Sequence, residues 1–98
     1  MGSFVVTEAR LTRAPAIDQA QGLIGYLKVV LSGGLALDGL TLRRTRDGRL
    51  TVSFPSRRDA AGRERFFIRP ITNQAQLDVE AQILVLLDIE KGAPSATS

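Results

Sequence analysis

A chain of 98 residues with 44% hydrophobic and 23% charged side chains, at a net charge of +3, has the length and balance of one globular domain rather than of a disordered or membrane-spanning chain. It contains no cysteine and no histidine, which removes disulfides, thiolate nucleophiles and thiolate metal sites, together with the commonest acid–base group near neutral pH. Catalysis is therefore disfavoured and no metal or cofactor is expected; with no apolar run near the roughly 18 residues of a spanning helix, the expected compartment is the cytoplasm.

The first element is a strand over Phe4 to Arg13, with Val5, Ala9 and Leu11 toward a core and Glu8, Arg10 and Thr12 toward water. Ala14 to Gln21 suits a connection. Gly22 to Ser32 is apolar on both parities, as a strand covered on both faces would be. Gly33-Gly34 permits a tight hairpin, because glycine adopts positive φ at no steric cost. Leu35 to Arg46 resumes as a strand, with a kink expected at Asp38-Gly39.

The next turn can be read for its loop length. A two-residue Asp47-Gly48 loop would set core residues against surface ones. A three-residue Arg46-Asp47-Gly48 loop pairs Leu42 with Val52 and Leu40 with Phe54, so the spacing predicts a type I turn closed by Gly48 in the left-handed region, with a bulge. Leu50 to Phe54 is a strand that Pro55 ends. Ser56 to Gly62 reads as a loop and Arg63 to Arg69 as a further strand. From Gln74 to Glu90 the composition predicts a helix, capped by Thr72 or by Asn73 with Gln76. Its ILVLL segment, Ile83 to Leu87, is apolar nearly all round and predicts burial against a partner subunit. The expected architecture is α+β: an antiparallel sheet of about five strands and a C-terminal helix in one domain, 4–90, with a disordered tail over 91–98.

Charge is concentrated in the middle of the chain. Arg43 to Arg69 holds nine arginines against three acids, a balance of +6, whereas the segment that follows is acidic. On a strand, Arg63, Arg65, Phe67 and Arg69 would share one face, and Arg57 and Arg58 on the preceding loop could join them. Guanidinium groups bind phosphate bidentately, and Phe67 could stack on an unpaired base. Two other readings stay open for such a cluster: a solvated face that blocks edge-to-edge association, or a contact for an acidic protein. Asp78, Glu80, Asp88 and Glu90 read as a solvated helix face rather than a metal site, and Lys28 as a snorkelling or dimer-paired side chain.

VTEARL near the N-terminus, PSRR followed by Gly62 and Arg65, and RPITNQAQLDVEAQIL resemble the stage V sporulation protein G (SpoVG) family over roughly Val5 to Leu87. That resemblance implies a small α+β protein that dimerises through its sheet, binds DNA and RNA, and regulates gene expression and septation. Arg57 and Arg58 match the basic pair of the family's PS[KR]R loop, and Arg65 a basic residue in the next strand. The chain departs from the pattern at Glu64, where an aromatic is common, at Arg69, where a histidine is common, and in its more acidic and apolar helix. The expected contacts with nucleic acid are accordingly Arg57, Arg58, Arg63, Arg65 and Arg69, with Arg43 and Arg44 as auxiliary phosphate contacts. A homodimer is expected, with an acidic protein as the alternative partner.

Overall fold

In the computed structural model, which describes residues 4–88, four strands form an antiparallel meander: β1 (Val6–Arg13), β2 (Leu23–Leu31), β3 (Leu35–Arg44) and β4 (Leu50–Ser53). A four-residue helix, α1 (Ala16–Gln19), lies in the first connection. Beyond β4 comes a separate two-stranded ribbon, β5 (Ser56–Arg58) and β6 (Glu64–Phe66), and then the helix α2 (Asn73–Leu87). The fold is α+β, as expected, but the single sheet of about five strands is a sheet of four and a ribbon of two. The last predicted helical positions, to Glu90, and the tail over 91–98 lie outside the described residues.

The β3–β4 turn has the predicted loop. Leu42 stands opposite Val52, Gly48 N–H donates to Thr45 O (3.0 Å), Thr45 N–H donates to Arg49 O (2.7 Å), and Gly48 has φ +89°. The β2–β3 hairpin sits where the glycines are, shifted by one residue: Ser32 (φ 50°) and Gly33 (φ 71°) carry the two positive φ angles, and Gly34 N–H closes the turn on Leu31 O (2.9 Å).

Three bulges decide which side chains face inward. The extra residue is Thr7 in β1 and Ile24 in β2, while in β3 Asp38 and Gly39 together oppose the single residue Lys28, and Gly39 has φ +85° at the expected kink. Because a one-residue insertion flips the alternation, the bulge at Thr7 puts Val6 rather than Val5 in the core, with Ala9 and Leu11 still inward; Val5 is exposed. The expected double cover of β2 is also corrected. Leu27 and Val29 are buried beneath α2, and Ile24 is buried at its bulge, while Tyr26 and Lys28 stand on an outer face that the described residues leave open.

Inward side chains Leu27, Val29, Leu40, Leu42, Leu50 and Val52 meet Val79, Ile83 and Leu84 of α2; each fully buried side chain of this size contributes roughly 1.5–3 kcal/mol. Thr72 caps the helix, its hydroxyl accepting from Ala75 N–H (3.0 Å). Gln76, the proposed capping-box partner, instead donates to Val52 O (2.9 Å) and to Glu80 Oε2 (2.6 Å).

That second bond belongs to an arrangement the sequence reading missed. Glu80 is 2% exposed rather than solvated. Its Oε2 accepts from Val52 N–H (3.0 Å) and Thr51 Oγ1 (2.7 Å) as well as from Gln76, closing the edge of β4. On the opposite edge, Gln82 accepts from Val6 N–H (2.7 Å) and donates to Phe4 O (3.1 Å). The helix thus supplies polar side chains to both edge strands, satisfying backbone groups that would otherwise invite another strand. Of the apolar ILVLL segment, Ile83 and Leu84 enter the core and Leu87 is half-buried, leaving Val85 and Leu86 exposed. No helix among the described residues is long and apolar enough to cross a membrane.

Candidate nucleic-acid interface

Pro55 cannot donate to a ladder, so β4 stops before it. The chain then builds a hairpin that was expected to be a loop and a longer strand. The turn from Asp59 to Arg63 repeats the chemistry of that from Thr45 to Arg49. In each, an oxygen-bearing side chain opens the turn and a glycine three places along takes positive φ, +81° at Gly62, before an arginine pairs back to the first residue. Asp59 Oδ1 accepts from the backbone N–H groups of Ala61 and Arg63 (both 2.9 Å), as Thr45 Oγ1 accepts from Arg49 N–H (3.0 Å).

Register places Arg57 opposite Arg65 and Arg58 opposite Glu64. Alternation therefore brings Arg57, Asp59, Arg63 and Arg65 to one face of the ribbon, and Ser56, Arg58, Glu64 and Phe66 to the other. On the first face Asp59 Oδ2 lies 2.9 Å from Arg65 Nε and 3.6 Å from Arg63 Nε. The Arg57 guanidinium stands 5.6 Å from the centroid of the Phe67 ring, within cation–π range. Like charges directly opposite one another destabilise a strand pair; the Asp59 carboxylate and the Phe67 ring offset that repulsion. The donated bonds, from Arg63 N–H first and the Arg65 guanidinium second, hold the Asp59 carboxyl below the usual carboxylate range. Three arginines and one aspartate leave this face at +2, and the arginine side chains remain largely exposed, 70% for Arg63 and 59% for Arg65.

The other expected contacts do not join the cluster. Arg58 is on the opposite face, where Nη1 donates to Gly62 O (2.8 Å). The strand expected to run to Arg69 ends at Phe66, and Arg69 lies beside Ile68 and Pro70 at an apolar cavity of about 110 Å³ that Leu37 and Phe54 also line. Arg43 and Arg44 are on β3, facing opposite sides of the main sheet, where they pair with Thr51 and Leu50. The structure thus gathers Arg57, Arg63 and Arg65, and separates Arg58, Arg69, Arg43 and Arg44 from them.

Asp59 was not foreseen as part of the site. The recurrence of an oxygen-bearing residue, two variable positions, glycine and arginine, TRDGR and DAAGR, was the signal that could have found it. Among the described residues, no group of three or more aspartates or glutamates is placed to hold a metal ion. No protein-family model matches the chain, and no curated protein matches it.

Proposed function

We propose that this chain is a non-catalytic, nucleic-acid-binding regulator of the kind its resemblance to the SpoVG family implies, acting in the cytoplasm as a homodimer. The observation that carries the reading is the convergence of Arg57, Arg63 and Arg65 on one exposed ribbon face. There several guanidinium groups can meet phosphates at once. Such contacts position a nucleic acid without reading its sequence. Val85, 76% exposed on α2, and the neighbouring Leu86 support the homodimer by offering an apolar surface beside Val6.

The test is salt dependence. With two to three phosphates neutralised per ribbon, the slope of log affinity against log salt should be about −2 to −3 on duplex DNA. Arg57→Ala/Arg65→Ala should weaken binding and flatten that slope. Undiminished binding by this variant, or affinity indifferent to salt, would overturn the reading.

A second reading, a dimeric module that docks an acidic protein, is favoured by exposed apolar surface away from the cluster: Phe66 on the Arg58 face of the ribbon, and Ile68 and Ile71 flanking Arg69. Capture of a protein partner from nuclease-treated lysate, together with no affinity for DNA or RNA, would select it.

A further inference from the structure

The outer face of the main sheet carries a second arrangement, independent of the ribbon. Register lines up Thr12, Tyr26, Thr41 and Ser53 as one row across all four strands. Tyr26 stands on an interior strand, 47% exposed, with short threonines as its two cross-strand neighbours. Two positions along β2 on the same face, roughly 6–7 Å away, is Lys28, opposite Arg10 of β1. Two positions along β3 from Thr41, toward the other end of the ring, is Arg43. Lys28 and Arg43 are exposed, and among the described residues Arg10 is held only through Nε, by an exposed ion pair with Glu8 (2.8 Å) that water screens.

We propose that this face is a stacking platform for single-stranded nucleic acid: an unpaired base lies on the Tyr26 ring while Lys28 and Arg10 on one side, and Arg43 on the other, hold the flanking phosphates. The inference rests on the nucleic-acid reading above and adds to it a preference for unpaired strands. A base must be out of a duplex to reach a ring on a sheet face, and an aromatic flanked by cations accepts any base because every base has a π-face. A second copy of the chain fits this face less well. Two-fold pairing uses the same patch on both copies and would crowd six cations, Lys28, Arg10 and Arg43 from each, around the two Glu8 carboxylates.

The protein supplies its own probe. Tyr26 is its one tyrosine and it has no tryptophan, so ultraviolet emission reports this ring alone. The full chain is titrated with a thymidine decamer, an abasic decamer of equal charge and a duplex, reading tyrosine emission corrected for absorption and, separately, the anisotropy of end-labelled oligonucleotides. The thymidine decamer should quench Tyr26 and the abasic decamer should not. Tyr26→Leu should weaken binding of the thymidine decamer about ten-fold, within the range for loss of one base–aromatic stack, and leave abasic and duplex binding unchanged; Tyr26→Phe should restore it.

If Tyr26→Leu binds the thymidine decamer as the wild type does while Arg57→Ala/Arg65→Ala loses binding, the platform is wrong and the ribbon reading stands. Failure of the wild type to bind any of the three sinks both. Should sedimentation show that Tyr26→Leu turns a dimer into a monomer, the face is a contact between copies and the proposal falls.

Discussion

Glu80 joins the helix to an edge of the sheet, and its removal has a calculable effect. Its carboxylate is 2% exposed and accepts three hydrogen bonds, from Thr51 Oγ1, Val52 N–H and Gln76 Nε2. In Glu80→Ala, Thr51 can turn its half-exposed hydroxyl to water, but Val52 N–H is buried at the sheet edge with nothing to accept from it. A buried donor left unmade costs about 1–3 kcal/mol, and a hydrogen bond to a charged group contributes about 1.5–3. Part of that loss is offset because the desolvated carboxylate is itself gone. The expected destabilisation is about 3 kcal/mol, a large share of the roughly 5–15 kcal/mol that holds a domain folded. Glu80→Gln keeps the shape and one acceptor oxygen and should lose about half as much. Urea unfolding followed by circular dichroism measures both; Glu80→Ala within about 0.5 kcal/mol of wild type, the usual range of surface changes, would refute the assignment of Glu80 as the clamp.

Gly25→Ala would drive a Cβ into Thr12 O and to 2.8 Å from a Leu11 methyl, so it should part β1 from β2 and cost at least about 2–3 kcal/mol in the same unfolding experiment. Gly48→Ala must hold a side chain at φ +89° and should cost about 1–2 kcal/mol, whereas the like change at Gly34, whose φ is not positive and whose Cβ would meet nothing within 4 Å, should leave the unfolding midpoint nearly unmoved. Asp59→Asn removes the carboxylate that shares the ribbon face with Arg57, Arg63 and Arg65; nucleic-acid affinity measured by anisotropy should rise several-fold, with a steeper salt dependence. Because the folded-state pKa of Asp59 is depressed, its clasp is complete above the ordinary aspartate value of about 3.9 and is lost as pH falls through the lower folded value, so NMR signals of the Arg63 and Arg65 guanidinium groups should stay constant near neutrality and shift only in acid.

Local chemistry was legible in the sequence wherever a few neighbouring residues decide the outcome. Asp47-Gly48, flanked by Leu40, Leu42, Leu50 and Val52, specified a three-residue turn because only that loop length puts both apolar sets on one face, and the strands pair accordingly. Pro55 ended its strand, and Thr72 capped the last helix, for equally local reasons. The ribbon was misread because both its strands have three residues, too few for a periodic signal, and because its turn begins with Asp59, whose side chain acts through backbone groups two and four residues on.

From the sequence alone came the α+β class, the turn chemistry and the gathering of arginine between Arg43 and Arg69. Tertiary structure alone decided which arginines meet, since a β-ribbon sends neighbours such as Arg57 and Arg58 to opposite faces and returns Arg65 to stand across from Arg57. It decided likewise that Glu80 is buried while Val5 is not. The position of a carboxylate depends on an edge-strand N–H 28 residues away, and that of a valine on a bulge at Thr7. Neither is encoded in local periodicity, because each is a consequence of where another segment of the chain comes to rest.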